Sequence, residues 1–302
     1  MNNQIFSIGY RKLGTDRGPT RPIWPIARTG LQIPWRHRLS KLSLLPALAV
    51  LIGHAIWLSA IVIGRKAGEV AATENVAAAL SVQMVAGVFG DVREVLSAFI
   101  QSQFYASAIA LSFLGAPLIA DDVHAGALDL YFARPLRRVD YILGKCLAAA
   151  LVPLGLLMIP TLLLFTAAAG TAAPGQSGEL WHLLLPSIGG ALLATFVLTG
   201  LVLGFSAQAE RSRTAAALFF GALIVLTTLG NGLPQAGVSV AGYFAPDRDL
   251  RTVMDALLGA RGTVFVPVVH NESAFMSFLA LLGMASAGFA SVWLSLRAKV
   301  SS

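Results

Sequence analysis

Six apolar runs dominate the chain: Leu42–Gly64, Val95–Ile119, Cys146–Ala169, Leu183–Phe205, Thr214–Leu233 and Ser273–Leu296. Each reaches the roughly 20 residues that a helix needs to cross the hydrocarbon layer. Together they contain not one Asp, Glu, Lys or Arg; His54 is their only readily ionisable side chain. The pattern predicts an all-α membrane protein with six transmembrane helices. The first run begins only at Leu42 and is too long for a signal-peptide core, so it reads as a retained span. Pro153 and Pro160 are expected to bend the third helix.

The segments between the runs carry weaker patterns. Leu250, Val253, Met254, Leu257 and Leu258 recur at helical spacing, with Asp247 or Asp249 to cap the start and Gly259 to end it. This predicts a short amphipathic helix on the outer membrane face. Val264–Val269 is β-branched and reads as extended, and Val76, Leu80, Met84 and Val88 suggest a second outer helix. Before the first span, Trp24, Ile26, Leu31, Ile33, Trp35 and Leu39 interleave with Arg28, Arg36, Arg38 and Lys41. Tryptophan with arginine suits the headgroup layer, so this segment reads as an interfacial elbow, its helix broken by Pro25 and Pro34. Residues 1–41 thus form a basic N-terminal tail and elbow. Residues 42–302 form a single six-span domain, with outer segments 65–94, 170–182 and 234–272 and a loop at 120–145.

Composition agrees. Of 302 residues, 56% are hydrophobic and 12% charged, with a mean hydropathy of +0.72. A soluble domain carries about a quarter charged residues. A soluble enzyme, a disordered chain and a soluble nucleic-acid binder are excluded. The net charge of +7 is distributed by topology. If the N-terminus is cytoplasmic, inner and outer segments are of nearly equal total length, yet the inner ones hold 16 of the 22 Lys/Arg. The positive-inside rule then places both termini in the cytoplasm, with Arg65–Lys66 as the exception to the trend. The single Cys146 excludes an intrachain disulfide. The longest non-membrane segment, 1–41, is close to the lower size limit for an independent domain, so any motor domain must sit on another chain.

The loop 120–145 reads ADDVHAGALDLYFARPLRRVDYILGK. Asp121 and Asp122 suit a helix start, and Val123, Ala127, Leu130 and Tyr131 form an apolar stripe. Pro135 stops that helix; Arg134, Arg137, Arg138 and Lys145 are left in the cytosol. A short helix with greasy anchors and rimming charge is what a docking surface needs, although it could equally lie on lipid headgroups. The sequence Gly144–Lys145–Cys146 mimics a P-loop ending, but Val139 and Cys146 stand where Gly and Ser/Thr are required, so nucleotide binding by this chain is not expected. Asp121, Asp122 and His124 have no distant partner for a metal, and helix capping accounts for them.

This loop resembles that of permease subunits of the type-two ABC exporter family. The matching positions are Asp121, Asp122, Gly126, Leu128, Leu130, Pro135, Arg138, Tyr141, Leu143, Gly144 and Lys145. The six-span layout, the elbow with Arg28 and Arg36, and the outer helix before the last span are similar too. The proline-broken elbow is less regular than in the family, and Asp122 stands where many members have Glu. The resemblance implies a pair of permeases, homodimeric or heterodimeric. Each would be gripped from below by a separate ABC ATP-binding subunit that carries ATP and Mg. The loop would act as a coupling helix, with Tyr131 and Arg137 joining the residues above. No catalytic, cofactor or metal site is expected in this chain, nor a nucleic-acid partner. The expected location is the plasma membrane of a bacterial cell. A membrane anchor without translocation, or an ion-coupled carrier using His54, are the competing readings. An intramembrane histidine is a functional candidate, though hydrogen bonding to a neighbouring helix also explains it. Gln101 and Gln103 point to different faces of the second span. Gly200 and Gly204 form a G-x-x-x-G pair suited to close helix packing, within the chain or with a second subunit.

Overall fold

Every apolar run becomes helical, the second in two pieces. In a computed structural model, residues 23–74, 88, 90–132, 136–171, 177–262 and 271–301 are described; among them the structure is helical, without strands. The elbow is α1 (Ile23–Trp35) and α2 (Arg38–Leu42). The spans run through α3 (Leu45–Glu74), α4 (Val92–Leu114) with α5 (Pro117–His124), α7 (Arg138–Thr171), α8 (Ser177–Gln208), α9 (Ser212–Gly232) and α11 (Ala274–Ser301). A short α6 (Ala127–Phe132) follows α5, and α10 (Pro246–Leu258) precedes the last span. Among the described residues, six stretches are long and apolar enough to cross a membrane: Arg38–Ala67, Val92–His124, Arg138–Thr171, Leu180–Gln208, Ser212–Ala236 and Ala274–Ala298. Five of them contain the predicted run whole, and the last contains all of its run but Ser273. The second outer helix expected from Val76, Leu80 and Met84, and the extended Val264–Val269, lie outside the described residues.

The second and fourth spans form the centre, with 72% and 61% of their apolar windows buried, against 17% for the first and fifth. The fourth and sixth spans touch backbone to backbone. A Cβ on Gly200 would stand 2.6 Å from the Ala285 carbonyl oxygen, and one on Gly204 would stand 2.9 Å from the Gly288 Cα. Gly200 and Gly204 therefore pack within the chain, where only glycine permits this approach. The second span starts on a capping box, Asp91 with Glu94. The exposed Arg65, which runs against the charge trend, pairs with that same Asp91.

Three features go beyond the sequence pattern. First, α1 is continuous through both prolines. Pro25 falls among the first four residues, whose N–H groups have no partner in any helix, and Pro34 stands in the last turn. Second, α7 runs unbroken through Pro153 and Pro160. Pro160 cannot donate to the Leu156 carbonyl four residues back, and Gln103 of α4 does so instead, at 2.9 Å. Third, α10 does not lie on a surface. It is inserted among α4, α8, α9 and α11, with its polar face as buried as its apolar one. Met254 fills the notch that Gly190 leaves in α8. Neither Asp247 nor Asp249 caps α10; Pro246 opens it and Gly259, with φ 70°, ends it.

Candidate functional site

The second span breaks at Gly115–Ala116, where Pro117 opens α5. A fresh helix start leaves N–H groups without partners. Ser206 of α8 meets them: its Oγ accepts from the Ile119 and Ala120 N–H groups, both at 3.1 Å, and donates to the Ala116 carbonyl at 2.7 Å. One buried hydroxyl thus ties the base of α5 to the fourth span. Asp121 and Asp122 consequently fall in the last turn of α5, not at a helix start. The helix expected over the loop is also two pieces, because Gly126 turns the chain at φ 63° between α5 and α6.

Asp122 Oδ2 accepts from the Tyr141 hydroxyl at 2.7 Å and pairs with Lys145 Nζ, also at 2.7 Å. Lys145 is not left in the cytosol: its side chain is 8% exposed and that of Asp122 16%. The ammonium also stands 5.4 Å from the Tyr141 ring centre, and the Tyr131 ring lies 5.8 Å from the same ring. Burial, and after it the Asp122 carboxylate, push the Tyr131 hydroxyl above its ordinary range. Gly144 is buried against the elbow, where a Cβ would stand 2.7 Å from Ile26 Cβ. Gly30 of the elbow approaches Leu118 and Ala148 in the same way.

The predicted loop residues therefore divide. Asp122, Leu128, Tyr141, Gly144 and Lys145 turn inward or lie half-buried, and they lock α5 and the elbow to the base of α7. Asp121, Gly126, Tyr131, Arg137 and Arg138 are exposed at the same end, with Leu143 beside them. The side chain of Leu130 lies outside the described residues, as does Pro135 altogether. Arrangement and exposure together suit a lever: a rigid root with an open tip.

The intramembrane polar residues are not brought together. His54, as the Nδ1–H tautomer, donates to the Val50 carbonyl of its own helix at 2.9 Å and lies against the Trp57 and Phe99 rings. Gln103 is buried on α7, whereas Gln101 is only half-buried.

A second polar centre escapes the periodicity of the sequence. On α10, Asp247, Arg248, Asp249, Arg251 and Asp255 are all buried. Asp255 pairs with Arg251 at 2.8 Å and accepts from Ser97 of α4. Asp247 accepts from Thr227 at 3.0 Å and Asn231 at 3.3 Å on α9. Asn271 donates to Asp249 at 2.6 Å and to Ser277 at 3.0 Å. Burial pushes the Asp249 carboxyl up to about 7, against the lowering effect of its Ser277 and Asn271 hydrogen bonds. The helical spacing of the apolar residues gives no signal of these partners, which lie up to 158 residues away. Among the described residues no cluster could hold a metal ion.

No curated protein sequence matches the chain. The pattern of the ABC-2 family transporter protein matches residues 109–295, from the lower half of the second span through the lever, the third to fifth spans and α10 to the last span. With six apolar helices and more than half of its length matched, the chain belongs to the ABC-2 transporter family, as a multi-pass membrane subunit.

Proposed function

We propose that this chain is the permease subunit of an ATP-driven exporter, working as a pair in the plasma membrane with both termini in the cytoplasm. Energy enters through α5 and α6, gripped by a separate ATP-binding subunit that carries ATP and Mg. The chain itself binds no nucleotide and catalyses no reaction. Family membership supports association with such a subunit. The observation that carries the reading is the lever: an exposed tip around Tyr131, with a root held by Ser206 and by the Asp122–Lys145 pair. A short rigid connector can convert a push into a two-state tilt of the spans it joins. The excess of Lys/Arg in these segments supports the orientation.

The test is co-purification with the ATP-binding subunit, together with ATP-dependent transport in the intact pair. Tyr131→Asp and Arg138→Glu should each weaken association and abolish transport, while His54→Phe leaves both intact. Association and transport that survive the two loop variants would sink the proposal. Transport that stops with His54→Phe would favour an ion-coupled carrier.

A further inference from the structure

Outside the lever, the elbow and the third span enclose a crevice of about 740 Å³, open on one side. Leu31 and Leu44 form one wall, and Leu151, Val152, Leu156 and Ile159 form the other. The volume falls in the range of sites that hold drug-sized apolar ligands, about 300–1,000 Å³. Gly155 lines it too, and a Cβ there would meet nothing within 4 Å, so the space is real at the helix surface. The polar members are Gln32, Trp35 and Arg36, all exposed and thus at the open side.

The charge at that opening has one sign. From Arg17 to Gly68 the sequence has no Asp or Glu, while Arg28, Arg36, Arg38 and Lys41 lie in or beside α1 and α2. Among the described residues none of these four makes an ion pair. Among the described residues the opening therefore lacks a protein anion, and the apolar walls belong to the elbow and to stretches long and apolar enough to cross a membrane. Two other occupants fit poorly. Residues 1–22 carry Arg11, Lys12, Arg17 and Arg21 against Asp16 alone, so they would bring more positive charge. A second copy seated symmetrically would set one basic elbow against another.

We infer that this crevice is a binding site for one anionic glycerophospholipid, its acyl chain between α1 and α7 and its phosphate on Arg36. Arginine suits that role because its planar fork matches phosphate oxygens in pairs. Trp35 sits beside it as an interfacial anchor. The site joins the elbow to the third span along the face of α7 that carries Gly144, about two to four turns further on. Its occupant is a structural ligand, independent of whichever cargo the protein moves.

Native mass spectrometry of the full chain in mild detergent tests this, with phosphatidylglycerol and phosphatidylcholine of the same acyl chains as probes. The wild type should hold a single phosphatidylglycerol about fivefold more tightly than phosphatidylcholine. Arg36→Gln should bring the two lipids to equal affinity. Gly155→Phe should remove the tight adduct of both. Equal affinity in the wild type, or a preference that survives Arg36→Gln, overturns the inference. A second measurement needs no variant to fold: phosphatidylglycerol with a photoreactive acyl chain should label residues 31–36 and 151–159 of the wild type. Labelling only elsewhere, or crosslinks that place residues 1–22 or a second copy in the crevice, also overturns it. Loss of ATP-subunit binding plays no part in these readouts, so failure here is distinct from failure of the lever.

Discussion

Replacing Lys145 with methionine removes an ammonium that is nearly shut off from solvent and leaves Asp122 with the Tyr141 hydroxyl as its remaining donor among the described residues. Breaking a buried pair from one side costs about 3–5 kcal/mol, because the surviving charge stays buried. Asp122 keeps 16% of its side chain exposed, so water offsets part of this and about 3 kcal/mol is expected. The double variant Asp122→Asn/Lys145→Met carries no orphaned charge, and the new amide can still accept from Tyr141. It should lie within about 1 kcal/mol of the wild type. The chain supplies its own reporter: Cys146 is its single cysteine and is half-buried next to Lys145. A thiol-reactive dye that fluoresces on labelling follows unfolding in detergent without introduced probes. Single and double variants of equal stability, or a Lys145→Met protein that matches the wild type, would refute the claim that this pair locks the lever root.

The geometry fixes four further outcomes. Ser206→Ala strands the Ile119 and Ala120 N–H groups and should cost about 3 kcal/mol in the same unfolding assay. Gly200→Ala drives a methyl group into the Ala285 backbone and should cost about 1–3 kcal/mol, whereas Gly221→Ala, whose Cβ meets nothing within 4 Å, should stabilise by about 0.5–1 kcal/mol. Gln103→Leu leaves the Leu156 carbonyl that Pro160 cannot serve without its donor, and infrared spectroscopy of an isotope-labelled Leu156 carbonyl should show the band of a weaker hydrogen bond. Asp249 has a folded-state value raised to about 7 by burial, so the folded chain holds more protons than the unfolded one between about pH 4 and 7. Its contribution to stability is greatest below that window and is lost as pH rises through about 7; Asp249→Asn should flatten the stability profile between about pH 4 and 7, measured by the same dye.

The spans are legible in the sequence because membrane crossing demands about 20 apolar residues in a row, and that demand is local. The boundaries of the six runs follow from it directly. Partnerships over distance leave no such trace. Periodicity alone assigns α10 to a surface because its charges look solvated; they are met by Ser97, Thr227 and Asn271, which no local pattern connects to it. The lever is half readable. Its exposed tip follows from the apolar stripe and the charge around it, but the turn at Gly126 does not, and Lys145 reads as a cytosolic charge because its partner Asp122 stands on the far side of that turn. The elbow prolines mislead for a simpler reason: their effect depends on position in the helix, and Pro25 and Pro34 stand in its first and last turns.

Short as it is, α5 stands like a tripod. One leg is the chain itself, continuing from the second span; another is the Ser206 bridge to the fourth; the last is the Asp122–Lys145 contact with the third. A load set on its foot is therefore shared by half of the membrane helices at once, including the two most enclosed. The fifth span packs against α5 as well, and the first and sixth receive the load only second-hand. Any movement that such a load provokes should begin as a joint displacement of the second to fifth spans, with the first and sixth following.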